Sequence, residues 1–125
     1  MFNLRHKMHL FFVFLLCFSP PSQGTPFASC PSKAFLMQDT VAKLYGVNLV
    51  TGNFSLLSDN LGTNNKINGV GFNFHDNYIY GWGYQWGTLV QIGSDFQATP
   101  ITIENNPEID FYVGDIAVNE NTYYF

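Results

Sequence analysis

From residue 33 onward, apolar and polar side chains alternate in short runs broken by Gly, Asn, Asp and Thr. Alternation puts successive side chains on opposite faces of an extended chain, which is the signature of β-strands, and helical spacing is nearly absent. The strands predicted on this basis are "INGVGFN" (67–73), "YIYGWG" (78–83), "TLVQIGSD" (88–95) and "ATPITIE" (98–104), with turns at "FHDN" and "YQWG". Before them come a strand starting at Lys33, then "AKLYGVNL" (42–49), the hairpin "VTGN" and "FSLLSDN" (54–60). After them come "GDIAVN" (114–119) and a last strand beginning in "TYYF". Gly52, Asn53 and Asn77 are residues that such turns favour, because Gly and Asn accept positive φ.

These strands recur. "KAFLMQDTVAKLYGV" (33–47) lies over "YIYGWGYQWGTLVQI" (78–92) without a gap, so that Phe35 falls on Tyr80, Met37 on Trp82, Leu44 on Leu89 and Val47 on Ile92, an offset of 45. The same offset carries Tyr80 to Phe125, and "NGVGFNFHDNYIY" (68–80) resembles "GDIAVNENTYYF" (114–125) with one residue fewer in the turn. A period near 45 with four short strands per unit is the pattern of propeller blades. The expected fold is therefore all-β, with antiparallel four-stranded meander repeats forming a partial β-propeller of about two blades.

The stretches "LYGVNLVTGNFSLL", "INGVGFN…DNYIYG" and "GDIAVN…YY", with the opening "PFASCP" at Pro26–Pro31, resemble secreted domains of unknown function allied to the YVTN and quinoprotein-like β-propellers. What the resemblance implies is a fold; its motifs mark hairpins and strand starts and carry no catalytic residues over. A closed propeller needs roughly 4 to 8 blades and repeats lean on their neighbours. A chain with about two is expected to be the N-terminal fragment of a longer propeller, or to complete its packing by self-association, and in isolation to aggregate or fold poorly.

The first 24 residues read differently. Arg5 and Lys7 precede the apolar run "LFFVFLLCF" (10–18), and "SPPSQG" follows, with Ser22 and Gly24 suited to the positions before a cleavage site. That order predicts a signal peptide over 1–24 and a repeat domain over 25–125, and so a secreted product (periplasmic in a bacterium). The nine-residue run is shorter than the ~20 residues a membrane span requires.

Residues 25–125 carry three lysines, no arginine and nine acids, a formal charge of −6, with one histidine (His75) and one cysteine (Cys30). Phosphate-based recognition of nucleic acid runs on Lys and Arg, so this composition argues against it. A zinc site built from several His or Cys ligands and a disulfide within 25–125 are both excluded by count. Cys30 is expected to be buried or partnered outside the chain.

The densest aromatic stretch is Tyr78–Thr88, with five rings and three glycines in eleven uncharged residues. Alternation puts Tyr78, Tyr80 and Trp82 on one face, where repetition at Lys33, Phe35 and Met37 marks them as packing between neighbouring sheets, and Ile79, Gly81 and Gly83 on the other. Tyr84 and Trp86 align with Asp39 and Val41 beside a turn, where packing does not demand rings. With Trp82 they form a candidate stacking surface for a carbohydrate, or they staple their own hairpin.

Oxygen-bearing side chains concentrate in two loops, Asp59 and Asn60 in one and Glu108 and Asp110 in the other, a calcium-type set that follows no EF-hand spacing and equally suits the loops' own turns. His75–Asp76 offers a base beside an acid, but no activated Ser or Cys accompanies it. Asp115, ahead of the innermost strand of a blade, either faces the channel or bonds a neighbouring backbone. "NFS" at Asn53 is a glycosylation sequon, meaningful in a eukaryote. The functional expectation is a secreted binding or structural module whose partner is a carbohydrate or another extracellular protein. The alternative is part of a propeller hydrolase or oxidoreductase with its active residues in other blades.

Overall fold

The computed structural model describes residues 24–29 and 33–125. Cys30 and the expected signal peptide, apart from Gly24, lie outside the described residues. Those residues form nine strands and no helix, and so none long and apolar enough to cross a membrane. The strands make three antiparallel sheets in chain order. The first holds β1 (Ala34–Gln38), β2 (Lys43–Val47) and β3 (Phe54–Ser58); the second holds β4 (Ile67–Asn73), β5 (Tyr78–Gly83), β6 (Thr88–Ile92) and β7 (Ala98–Pro100); the third holds β8 (Asp115–Ile116) and β9 (Tyr123–Tyr124). Each sheet is a meander of neighbours, and β4 touches both β1 and β8.

The offset of 45 read from the sequence is the offset of the hydrogen-bond register. Ala34 lies opposite Val47 and Ile79 opposite Ile92; Phe35 opposite Gly46 and Tyr80 opposite Gln91; Met37 opposite Leu44 and Trp82 opposite Leu89. Register decides which face each side chain takes, so the repeated residues also repeat their direction. In the first sheet Phe35, Met37 and Leu44 turn toward the second sheet. Their counterparts Tyr80, Trp82 and Leu89 turn toward the third.

Between the first two sheets Leu44, Ile67, Ile79, Val90 and Ile92 are buried with Ala42 and Leu61 from the loops. Phe27, from the segment ahead of β1, closes one end of this core with its ring about 6 Å from those of Phe35, Phe72 and Phe96. Backbone bonds from Phe27 N–H to the Asn77 carbonyl (2.9 Å) and from Ser94 N–H to the Thr25 carbonyl (2.7 Å) tie the segment down. That second bond also explains why β6 stops at Ile92, short of the predicted end at Asp95.

β7 is shorter than predicted for the same kind of reason. Pro100 has no N–H to give the ladder, and beyond it the segment is held to β6 by the bond from Ile101 N–H to the Leu89 carbonyl (2.8 Å) and by the Thr88 hydroxyl, which donates to the Ile101 carbonyl (2.7 Å). β4 carries a bulge between Asn68 and Gly71, where Gly69 takes φ 59°, the left-handed geometry that a glycine supplies in such a bulge. The third hairpin departs from the repeat. Asn73 pairs with Tyr78, but the residues aligned with them, Asn119 and Tyr123, do not pair; Ile116 lies opposite Tyr123 instead. The longer loop between β8 and β9 shifts the register, and Phe125 turns back onto Phe111 and Trp82 rather than repeating the direction of Tyr80.

Leu44→Ala is expected to lower unfolding stability by about 2–5 kcal/mol, because it empties a site with no exposed surface. Val50→Ala, at a position 95 % exposed, is expected to stay within about 0.5 kcal/mol. Urea titration of both compares them; equal losses would contradict the assigned core.

Candidate functional site

A cleft of about 320 Å³ lies where the second and third sheets meet. Its apolar wall is Leu89, Ile101, Ile103 and Ile116, and its polar side chains include Asn73, Asp76, Tyr80 and Asn121. β5 and β6 supply Tyr80 and Gln91 as a cross-strand pair. The Gln91 amide (Nε2) donates to the Tyr80 hydroxyl (2.7 Å), which donates to Asp76 Oδ2 (2.5 Å). Asp76 Oδ1 accepts from the Tyr78 N–H (3.1 Å), so both carboxylate oxygens are held by the first residues of β5. Across the cleft Asn73 Nδ2 donates to Asn121 Oδ1 (2.6 Å), which links the end of β4 to the β8–β9 loop.

Burial and the nearby Asp76 carboxylate push the Tyr80 phenol well above its ordinary range. Burial, then the charge of Asp115, pushes Tyr123 up to about 12, and its hydroxyl donates to the Gly69 carbonyl at the bulge. Asp76 is the charged residue of the cleft; no lysine lines it. The site can therefore accept and donate hydrogen bonds around an uncharged ligand, and it presents no cation to an anion.

The residues singled out from the sequence fall elsewhere. Trp82 is fully buried, in edge-to-face contact with Phe111 (4.8 Å between centroids), and its indole N–H donates to Asp110 Oδ1 (3.2 Å). It serves the junction between sheets. Tyr84 is half-buried, with the Lys66 ammonium 4.4 Å from its ring centroid and its hydroxyl bonded to the Phe111 carbonyl (2.9 Å). Trp86, also half-buried, packs on the first core beside Gly83. The three rings share a strand and its turn but form no common surface.

Asp59, Asn60, Glu108 and Asp110 are exposed in two loops. Asn60 Oδ1 accepts from the Gly62 N–H (3.0 Å), closing its own turn, while Asp110 receives Trp82. Among the described residues no three His, Cys, Asp or Glu side chains gather in a metal-holding group. His75 is not bonded to Asp76, whose oxygens go to Tyr78 and Tyr80. Asp115 Oδ1 accepts from the Ile116 N–H (2.8 Å), the backbone one of its two expected roles. Asn53 is exposed at the end of its hairpin.

Sequence reasoning missed Tyr80, Asp76, Gln91, Asn73 and Asn121 as a site. One signal was available: Phe35 and Gly46 of the first unit become Tyr80 and Gln91 in the second, so a position that packs in one repeat acquires hydrogen-bonding groups in the next. No family model, curated protein or solved structure matches the chain.

Neutral Tyr123 is favoured by the fold, and so it holds its proton where the unfolded chain has begun to lose it. Its contribution is complete below about pH 10 and fades as pH rises toward 12. Denaturant titrations across that range are expected to show a smaller alkaline loss for Tyr123→Phe than for the wild type. Identical slopes would contradict the assignment.

Proposed function

We propose that residues 25–125 are a partial β-propeller, exported by residues 1–24, whose task is to bind a small, uncharged, hydroxyl-rich ligand of the carbohydrate class. The meander sheets in series and the shared register of two units support the propeller reading. The observation that carries the binding reading is the Gln91–Tyr80–Asp76 chain facing the apolar wall of Leu89, Ile101, Ile103 and Ile116. Binding pockets combine mostly apolar lining with a few fixed polar groups, and their volumes start near ~300 Å³. A sugar ring has the matching chemistry: hydroxyls at its edge for Asp76, Tyr80, Asn73 and Asn121, and C–H faces for the isoleucines.

The polar chain fixes orientation. Gln91 directs the Tyr80 proton to Asp76, which leaves free lone pairs on Asp76 to accept ligand hydroxyls. A ligand carrying phosphate or carboxylate meets the Asp76 charge in a half-buried site, where screening by water is reduced.

Glycan-array binding followed by calorimetry with the monosaccharide that scores highest tests this. Tyr80→Phe and Asn121→Ala are each expected to weaken binding about tenfold, the worth of one lost hydrogen bond to a polar group, while Trp86→Ala leaves affinity unchanged. Retained affinity in both cleft variants, or loss only in Trp86→Ala, would remove the cleft from the account; an array with no hit would end the carbohydrate reading.

A further inference from the structure

The hydrogen-bonding groups of the cleft have a fixed polarity, and β5 with its turn supplies acceptors. The Tyr80 hydroxyl accepts from Gln91 Nε2 and gives its proton to Asp76 Oδ2, so what it keeps for a ligand is a lone pair. The two Asp76 oxygens each hold one hydrogen bond, from Tyr78 and Tyr80. An ionised carboxylate accepts further bonds at both oxygens and donates none.

The facing side is set by a relay that begins on the backbone. The His75 N–H donates to Asn73 Oδ1 (2.9 Å), so the Nδ2 end of that buried amide is the end turned toward Asn121. An amide nitrogen only donates, and Asn121 meets it with Oδ1 (2.6 Å). Asn121, exposed on the β8–β9 loop and lining the cleft, is left with Nδ2 as its group for a ligand, a donor that cannot accept. Asn73 is therefore a positioning residue, because its amide decides which end of Asn121 is offered.

A hydroxyl both donates and accepts, so it draws little from walls sorted in this way. A secondary amide is sorted as the walls are, with an N–H on one side that donates and a carbonyl on the other that accepts. An acetamido group adds a methyl, for which the apolar wall of Leu89, Ile101, Ile103 and Ile116 is the matching surface. A free amine would pair with Asp76 but has nothing to accept from Asn121 Nδ2.

We propose that the cleft selects a sugar bearing an acetamido group: Asp76 and Tyr80 receive its N–H, Asn121 Nδ2 donates to its carbonyl, and the apolar wall takes its methyl. This rests on the carbohydrate reading of the cleft and adds the substituent that distinguishes one sugar from another. Sites built to hydrogen-bond a given group discriminate strongly against the analogue lacking it, since their own polar groups are then left without partners.

Calorimetry of the purified chain with glucose, glucosamine and N-acetylglucosamine, and with the matching galactose set, tests this. In one of the two sets the acetamido sugar is expected to bind about tenfold more tightly than its parent, or better. Asn121→Asp still accepts from Asn73 but turns an acceptor to the ligand, and Asn73→Asp makes Asn121 present Oδ1 instead. Each is expected to erase the ratio between acetamido sugar and parent. That ratio is read within one protein, so a general change in affinity or stability cancels. Asn73→Asp places a charge at a buried position; should it fail to fold, Asn121→Asp, at an exposed one, carries the test. A parent sugar bound as tightly as its acetamido form overturns the proposal while leaving the carbohydrate reading in place. So does an amine bound more tightly than the amide, which would mean that Asp76 acts by charge, or a preference that survives Asn121→Asp. Binding of none of the six sugars overturns it as well, and the glycan array then decides the carbohydrate reading separately.

Discussion

The structure depends on one constraint: a short meander sheet has two faces, and it holds its shape only while one of them is buried on a neighbour. The first sheet meets this by turning Phe35, Met37 and Leu44 onto the second, where Ile67, Ile79, Val90 and Ile92 complete a dry layer. Burying a side chain of this size is worth about 1.5–3 kcal/mol, whereas most polar contacts at the surface add less than one. The one ion pair among the described residues, Lys43 with Asp39 at 3.0 Å, joins exposed groups across a turn and is secondary to that layer. Phe27 acts with the core, since its ring bridges both sheets at the end where the chain enters.

From that constraint follows the difference between the two junctions. Between the first and second sheets the facing residues are nearly all apolar. Between the second and third, the same positions are Tyr80, Trp82 and Leu89, with Gln91 in place of Gly46, and the third sheet brings only two short strands to meet them. Trp82 seals part of the gap with Phe111 and Phe125. The remainder stays open as the cleft, lined by hydrogen-bonding groups whose direction the register sets. The cleft is the place where repeat packing is left incomplete.

Much of the fold was legible because registers are periodic and sequences record them. The gap-free match of 33–47 with 78–92 falls on two hairpins that share one register, and "INGVGFN", "FHDN" and "YIYGWG" fall on β4, its turn and β5 residue for residue. What was illegible involved contacts between segments distant in sequence. Alternation places Trp82 among the rings that pack between sheets, but nothing local names Phe111 and Phe125, from after β7, as what covers it. The third hairpin aligns by composition, yet its longer loop moves Ile116 opposite Tyr123. Asn121 reaches Asn73 across forty-eight residues, a link no local pattern announces. The propeller likeness rests on the repeat and on meander sheets in series; the described sheets themselves close no ring.

Native-state hydrogen exchange tests the shared core most directly. If the first two sheets are one packed body, the amides of β2 and those of β5 and β6 open together, with a common free energy and a common response to denaturant. Leu44 and Gly46 are then as well protected as Ile79 and Val90, and the two-stranded β8–β9 hairpin opens earlier. Amides of β2 that exchange freely while β5 and β6 stay protected would contradict the account, because the first sheet would then not be buried on the second.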